Sequence, residues 1–462
     1  MIHVHFIGIG GSGLSAIARL LKESGYAVSG SDKNLSPLAR DLAEIGIPVI
    51  IGHDPKNISG ADLIIRSSAI PDDNPEVLAA QAAGIPVYKR ADFLGKLMAG
   101  RMGIAISGTH GKTTTTAMVA WILSKLGQDP SYIIGGISKN LRTNAHAGAG
   151  RPFVIEADEY DRMFLGLQPK IIVVTNVEHD HPDCYPTPSD YMAAFSEFVG
   201  SLQPRGILLV CQDDPGALSL LGYLPDDCTA YTYGIQASSY RASQMIQNGR
   251  GGFDFQVHWQ AFRSPARLLG AISLQVPGQH NVQNATAAMA VAHQLGLPLE
   301  KAAQALAEYA GTGRRFDILG EIAGITVIDD YAHHPTEIRA TLAAARARYA
   351  GRRLWAVWQP HTYSRTLSLL NDFCQSFKDA DQVFVTEIYA AREKKQEFSA
   401  ERIVQKMNRP TVRFVPSQEN AIEQLLEQLR PGDVLLVLSA GDADQISAGV
   451  ISGLNEREGK NV

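Results

Sequence analysis

A chain of 462 residues, 45% hydrophobic and 19% charged, carries enough apolar material for about two to four domains. A formal charge of −5 without a basic stripe excludes nucleic acid as the main partner, and no apolar run reaches the ~18 residues a membrane span needs. Four scattered cysteines (Cys184, Cys211, Cys228 and Cys374) with no CxxC pair exclude a disulfide framework or thiolate metal centre. The N-terminus enters a strand at once, which leaves no targeting peptide and makes the cytoplasm the expected compartment.

Residues 1 to about 102 alternate strands, expected at 4–7, 26–29, 48–51, 62–66 and 85–88, with helical stretches, the pattern of a small doubly wound α/β unit. The first strand leads into Gly8-Ile9-Gly10-Gly11-Ser12-Gly13 and an apolar helix, and Asp32 ends the second. Glycines there let a diphosphate approach the backbone, and an acid some twenty residues on can hold a ribose hydroxyl. The turn is specific for diphosphate plus ribose and weak evidence for a nicotinamide.

A second unit opens at Gly108-Thr109-His110-Gly111-Lys112-Thr113-Thr114-Thr115, between the apolar run Ile104–Ile106 and a helical pattern. Strand, glycine turn and helix N-terminus form a phosphate cradle, to which Lys112 adds a point charge and Thr113 a hydroxyl for Mg²⁺. Further strands are expected at 132–134, 153–155, 171–175 and 207–210, then short strands with loops across 229–275 and a helix after Asn281. Two strands end in acids: Glu156-Ala157-Asp158-Glu159-Tyr160-Asp161, and Val177-Glu178-His179-Asp180-His181. Ligands of parallel sheets sit beyond carboxyl strand ends, so Glu156 and His181 should flank the Lys112 turn, while Glu159 and Asp161 read as solvated loop charges. Carboxylate oxygens suit Mg²⁺, and a single imidazole is tolerable in a second site.

The third unit starts near Gly313-Arg314-Arg315, with strands expected at 325–329, 354–358, 382–386, 412–415 and 434–438 and a frayed polar tail from Asn455. That Gly-Arg-Arg junction could place a guanidinium, from Arg314 or Arg315, on a phosphate. The strand-end loops Asp329–Glu337 and Gln359–Thr366 carry His333, His334, His361 and Arg365, groups able to hold a carboxylate and complete a site against another domain.

Taken in order, GIGGSG, GTHGKTTTT, EADEYD, TNVEHDHPD, PGQHNVQNA, GTGRRFD, DDYAHHPTE and QPHTYSRT resemble the Mur ligases of peptidoglycan synthesis over nearly the whole chain. The resemblance implies three α/β domains: a Rossmann-like UDP-sugar domain (1–102), a central P-loop ATPase domain with extra β-strands (103–312), and a C-terminal Rossmann-like domain (313–462) that closes over an amino acid. It implies an ATP-dependent carboxylate–amine ligase with two Mg²⁺ sites, acting as monomer or weak homodimer on UDP-N-acetylmuramate and, in its nearest branch, L-alanine; the alternative is a family member that recycles a tripeptide. Carried over by position, Gly108, Thr109, His110, Gly111, Lys112, Thr113, Thr114, Asn284 (adenine), Arg315 and Asp330 belong to ATP, and Thr113, Glu156 and His181 to the metals. Gly10, Gly11, Ser12, Gly13, Asp32, Ser67, Ser68 and Ala69 belong to the UDP-sugar, and Tyr331, His333, His361 and Arg365 to the amino-acid end, with Lys112, His333, His361 and Arg365 catalytic. Some members carry arginine where this chain has Thr362, which leaves Arg365 alone for the amino-acid carboxylate. Relatives that add later peptide residues position Mg²⁺ with a carbamylated lysine, whereas here no lysine lies between Lys170 and Lys301. An NAD dehydrogenase would use the first glycine turn but leave Lys112, Glu156 and His181 unexplained, and a silent partner subunit would be expected to lose one of those three.

Overall fold

The structure is a computed structural model that describes residues 1–261 and 263–460, without the side chains of Ser12 and Lys460. The first sheet is wholly parallel: β1 (His3–Ile7), β2 (Ala27–Asp32), β3 (Val49–Ile51), β4 (Leu63–Arg66) and β5 (Val87–Lys89), in the order β3-β2-β1-β4-β5. Strand order reverses between β1 and β4, and the glycine turn follows β1 at that crevice, where such sheets bind ligands.

The second sheet has ten strands: β6 (Met102–Ser107), β7 (Ser131–Ile133), β8 (Ala145–His146), β9 (Pro152–Glu156), β10 (Ile171–Val174), β11 (Ile207–Cys211), β12 (Thr229–Gly234), β13 (Tyr240–Gln247), β14 (Phe253–Trp259) and β15 (Arg267–Ser273). Its order is β15-β14-β13-β12-β11-β10-β6-β9-β7-β8, parallel from β7 through β13, with β14 and β15 continuing as an antiparallel meander. β9 and β10 flank β6 on opposite sides, so the two acid-bearing strand ends bracket the P-loop.

The third sheet comprises β16 (Asp317–Ile322), β17 (Ile325–Asp330), β18 (Leu354–Trp358), β19 (Gln382–Val385), β20 (Val412–Phe414) and β21 (Val434–Leu438), in the order β16-β17-β21-β18-β19-β20. β16 was not expected. It pairs antiparallel with β17 through a turn at Ala323 (φ 51°) and Gly324 (φ 72°). Two-residue hairpins need positive φ at both positions, and alanine in place of the usual Asn or Asp hides that turn. The tail is also more ordered than expected: the helix Asp444–Lys460 runs through it, with Leu454 buried and Glu458 Oε1 accepting from the Ala323 N–H at 2.8 Å. Asn461 and Val462 lie outside the described residues.

One apolar core runs without interruption from the first domain (Val4, Phe6, Leu14, Phe93) into the central one (Ile104, Val119, Phe153, Phe164). Glycine makes that joint close: a Cβ on Gly95 would stand 2.4 Å from the Gly166 carbonyl, and one on Gly166 2.4 Å from that of Ala91. The third domain has its own cores on the two faces of its sheet. It meets the central domain through polar pairs instead: Asp180–Arg365, His110–Glu337, Glu178–Thr336 and Asp183–Arg392.

Candidate active site

Gly108 (φ 129°) and Gly111 (φ 81°) take backbone conformations that side chains resist, and each is crowded besides. A Cβ on Gly108 would lie 2.0 Å from Thr175 Oγ1, and one on Gly111 2.8 Å from Asn284 Oδ1. The turn delivers Lys112 at the start of the helix Lys112–Lys125. Its ammonium donates to the carbonyls of Gly108 (2.6 Å) and Thr109 (3.2 Å) and to both oxygens of Glu159 (3.1 and 2.8 Å). Burial opposes the charge, but Glu159 outweighs it and raises the lysine pKa.

Glu159 therefore departs from its expected place as a solvated loop charge. It is 1% exposed, accepts also from the Tyr191 hydroxyl at 3.0 Å, and lies 3.6 Å from His181 Nε2. Burial opposes its ionisation, yet Lys112 and His181 lower its pKa to about 2. Asp161 is exposed, as expected. Glu156, at the end of β9, accepts from Thr113 Oγ1 at 3.0 Å and the Gly135 N–H at 2.7 Å. Burial raises its pKa, for Lys112 compensates the charge only in part. A buried, under-compensated carboxylate beside a threonine hydroxyl fits a hard divalent cation such as Mg²⁺. His181 (φ 55°) lies beside two acids: burial opposes its protonation, but Asp180 and Glu159 raise its pKa.

His110 leaves the turn and bridges domains, with Nε2 3.0 Å from Glu178 and Nδ1 3.1 Å from Glu337. Burial disfavours the imidazolium, but the two carboxylates outweigh it and raise its pKa to about 9. Thr109 Oγ1 donates to the Glu178 carbonyl at 2.8 Å, and Thr114 is half-buried on the same helix. Asn284 is buried behind Gly111 with its amide donating to Asn281 Oδ1 at 3.1 Å, so the structure places it against the P-loop backbone and outside the cavity wall. Asp330 is likewise outside that wall. Its oxygens accept from the Phe316 and Ala332 N–H groups, both at 2.7 Å, and so fasten the loop that carries Arg315.

Arg315 lies over the Tyr331 ring (4.8 Å to the centroid) and 3.8 Å from Glu337. His333 Nδ1 is 2.8 Å from the Tyr331 carbonyl, which assigns the proton to Nδ1 and leaves Nε2 a lone pair. Burial lowers its pKa to about 4, and burial with neighbouring His333 and Arg365 lowers that of His361 to about 2, so both rings are neutral at pH 7. His334 instead caps the helix Pro335–Arg348 through Nδ1. Arg365 was expected to clamp the amino-acid carboxylate, but its guanidinium is already engaged: Nε and Nη2 reach Asp180 at 2.7 and 3.1 Å, and Nη1 reaches His361 Nδ1 at 3.2 Å. A fork held by one carboxylate has little left for a second. Thr362, 3% exposed, sits at φ 63° just before the short helix Tyr363–Ser368 that carries Arg365, a strained conformation for a β-branched residue.

At the first turn, Asp32 Oδ2 accepts from the Gly10 N–H at 2.7 Å, and Ser36 Oγ donates to its carbonyl at 2.9 Å. A Cβ on Gly10 would stand 2.6 Å from Ser36 Oγ, whereas one on Gly11 would have only the Gly8 carbonyl at 3.6 Å near it. Ser67 packs beside Gly8 with its hydroxyl on the Ala69 N–H at 3.3 Å, and Ser68 and Ala69 are exposed. The side chain of Ser12 lies outside the described residues.

A single cavity of about 740 Å³ joins these parts. The first domain contributes Gly10, Gly13 and Arg90, the second Thr109, Gly111, Lys112, Thr113, Glu156 and His181, and the third Arg315, Tyr331, His333, His361 and Arg365. Lys112 is the only lysine in its wall among the described residues, and activity is accordingly expected to be unchanged by bicarbonate in CO₂-depleted buffer. Stimulation would place a carbamylated lysine there.

A glycine turn presenting a lysine, a buried carboxylate beside a threonine hydroxyl and a second glycine turn share one cavity among three domains, the layout of a nucleotide-dependent enzyme. The chain belongs to the Mur ligase family: residues 3–102 match the Mur ligase family catalytic domain, 106–292 the Mur ligase middle domain and 314–441 the Mur ligase glutamate ligase domain. It is 44% identical over 474 residues to the UDP-N-acetylmuramate–L-alanine ligase of Roseiflexus sp. (strain RS-1), across 99% of this chain and 100% of that protein. Among solved structures it is similar to the UDP-N-acetylmuramate–alanine ligase of Thermotoga maritima, with 29% identity, TM-score 0.83 and coverage of 99% and 100%. It also resembles a murein peptide ligase of Psychrobacter arcticus, with 25% identity, TM-score 0.74 and coverage of 98% and 99%. Members of this family are ATP-dependent ligases, and so is this chain.

Glu159, Asp180, Glu337 and Arg90 were missed as partners of the site. For Glu159 a signal existed, since it follows Glu156 by three residues in a loop turned back by Asp161 (φ 54°) and Arg162 (φ 51°).

Proposed function

We infer that the protein joins L-alanine to the lactyl carboxylate of UDP-N-acetylmuramate, with ATP converted to ADP and phosphate. The observation that carries this reading is the single cavity on which a diphosphate-type turn, the Lys112 P-loop and two neutral imidazoles converge. The site residues already described hold the three substrates in line: the Gly10 to Gly13 turn, braced by Asp32 on the Gly10 N–H, the nucleotide sugar, Lys112 and Thr113 the ATP phosphates, and Tyr331, His333 and His361 the amino acid. Glu156 with Thr113 would hold one Mg²⁺ and Glu156 with His181 a second, and the metal would supply charge neutralisation at the transferred phosphoryl group.

A carboxylate resists amines because oxide is a very poor leaving group. Attack of its oxygen on the γ-phosphorus yields an acyl phosphate and ADP, and Lys112 screens the two approaching polyanions. The neutral alanine amine then attacks the acyl carbon, and collapse of the tetrahedral oxyanion expels phosphate. The amine proton passes to His333 Nε2, whose partner Nδ1–H is fixed by the Tyr331 carbonyl. Its basicity rises once phosphate charge enters the cavity. Closure of the third domain keeps water from the acyl phosphate.

Phosphate release with UDP-N-acetylmuramate and a panel of acceptors tests the reading. L-alanine is expected to lead, with glycine and L-serine weaker, because one methyl group discriminates by only about 10–200-fold. Preference for the L-Ala-γ-D-Glu-diaminopimelate tripeptide would assign the chain to the recycling branch instead. A Cβ at position 11 meets nothing closer than the Gly8 carbonyl at 3.6 Å, so Gly11→Val should raise KM for the nucleotide sugar far more than KM for ATP. Equal effects on both would remove the turn from that role.

A further inference from the structure

The first glycine turn carries no cation of its own, and the helix Ser12–Glu23 begins with neither a side-chain cap nor an acid in its first turn. A cation reaches it from elsewhere. Arg90 starts the helix Arg90–Met98, and its guanidinium rests on Gly13 so closely that a Cβ there would stand 1.5 Å from Nη1. In this rotamer it fills the place a Cβ at position 13 would take.

The partners of that guanidinium are poor for a group with five N–H donors. Nε points at the thioether sulfur of Met163, a weak acceptor, and Nη2 lies 3.3 Å from Asp158 Oδ2 of the central domain. Asp158 is itself 37% exposed and turns its other oxygen to the Tyr160 N–H at 3.1 Å. Both Arg90 and Asp158 stand in the cavity wall. A fork-shaped cation, partly satisfied, beside a glycine turn open to a diphosphate is matched to two phosphate oxygens.

We propose that Arg90 is the cation that receives the diphosphate of the nucleotide sugar, and that Asp158 competes with that ligand for the same guanidinium. The proposal rests on the nucleotide-sugar reading of the first turn. Binding then exchanges one anion for another at the guanidinium, and it frees Asp158, which faces the same side of the cavity as Glu156 and Lys112. Arg90 is thus a specificity residue for diphosphate over monophosphate.

Calorimetric titration of UDP and UMP into the full chain and two variants tests this. The wild type is expected to bind UDP well ahead of UMP. Arg90→Met, which keeps an unbranched apolar stem against Met163, should weaken UDP about 10–100-fold, the range of a charged bidentate contact, and UMP by less than about threefold. Asp158→Asn should move the other way and tighten UDP, because the competing carboxylate is gone. If Arg90 and Asp158 form only a strut between domains, both substitutions weaken UDP and UMP alike, and the proposal is overturned. Retained UDP-over-UMP discrimination in a folded Arg90→Met overturns it also, while leaving the nucleotide-sugar reading intact. A wild type indifferent to UDP and UDP-N-acetylmuramate removes both. Should Arg90→Met unfold, the direction of the Asp158→Asn shift decides.

Discussion

Replacement of Lys112 by alanine is expected to lower ligation turnover by roughly 10²–10³-fold or more, the cost of removing one preorganised charge from a dry transition-state site. The ammonium is part-buried and pointed by two backbone carbonyls, so no other side chain can move into its place. The substitution also strips Glu159 of its strongest partner, leaving a buried carboxylate with only Tyr191 and His181 near it. Thermal unfolding must therefore accompany the rate measurement. Lys112→Met in parallel separates loss of charge from loss of packing. Near-normal phosphate release by either variant would take this turn out of phosphoryl transfer.

The second large effect is expected at Asp180, which forms a two-pronged pair with Arg365, both side chains about 5% exposed or less. Removing one member of a buried pair costs about 3–5 kcal/mol, most of it the stranded charge of the other. Because the pair spans two domains, Asp180→Ala should show mainly as opening of the third domain, read as a larger radius of gyration in solution scattering and earlier proteolysis between the domains. Asp180→Leu with Arg365→Met removes both charges and should recover part of the compactness but not the activity, since His361 loses its arginine neighbour. Unaltered compactness in Asp180→Ala would mean that the seam is held elsewhere.

Much of this architecture is legible in the residues because parallel strands buried on both faces are written as short apolar runs such as Ile171–Val174 and Leu354–Trp358. The P-loop is equally plain, since a glycine-flanked lysine at a strand end has few other uses. The partners of the site are harder to read. Arg90 and Asp158 are 68 positions apart, and Arg365 and Asp180 185 apart, each an unremarked charge in its own segment. Arg365 illustrates the cost: local sequence marks it as an anion receptor, and only the fold reveals that the anion is already part of the chain. Glu159 errs in the other direction, a loop acid that the Tyr185 and Tyr191 ring pair shields from water. β16 escapes because its turn lacks the usual residue types.

The two joints of this molecule are of different materials. The first and second domains are welded by a shared hydrocarbon core, and prising them apart would expose apolar surface at about 25 cal/mol per Å². The third is attached by a seam of ions and hydrogen bonds, of which the solvent-facing Asp183–Arg392 pair is open to screening by salt while the buried Asp180–Arg365 and His110–Glu337 pairs are largely shielded from it. Mechanically the chain is a fixed anvil with one detachable jaw. In the proposed reaction the anvil would keep nucleotide sugar and ATP in register through both half-reactions, and opening of the jaw would admit the amino acid and let the products go. High salt is therefore expected to loosen only the Asp183–Arg392 edge of that seam, and to slow turnover before it weakens the grip on the nucleotide sugar.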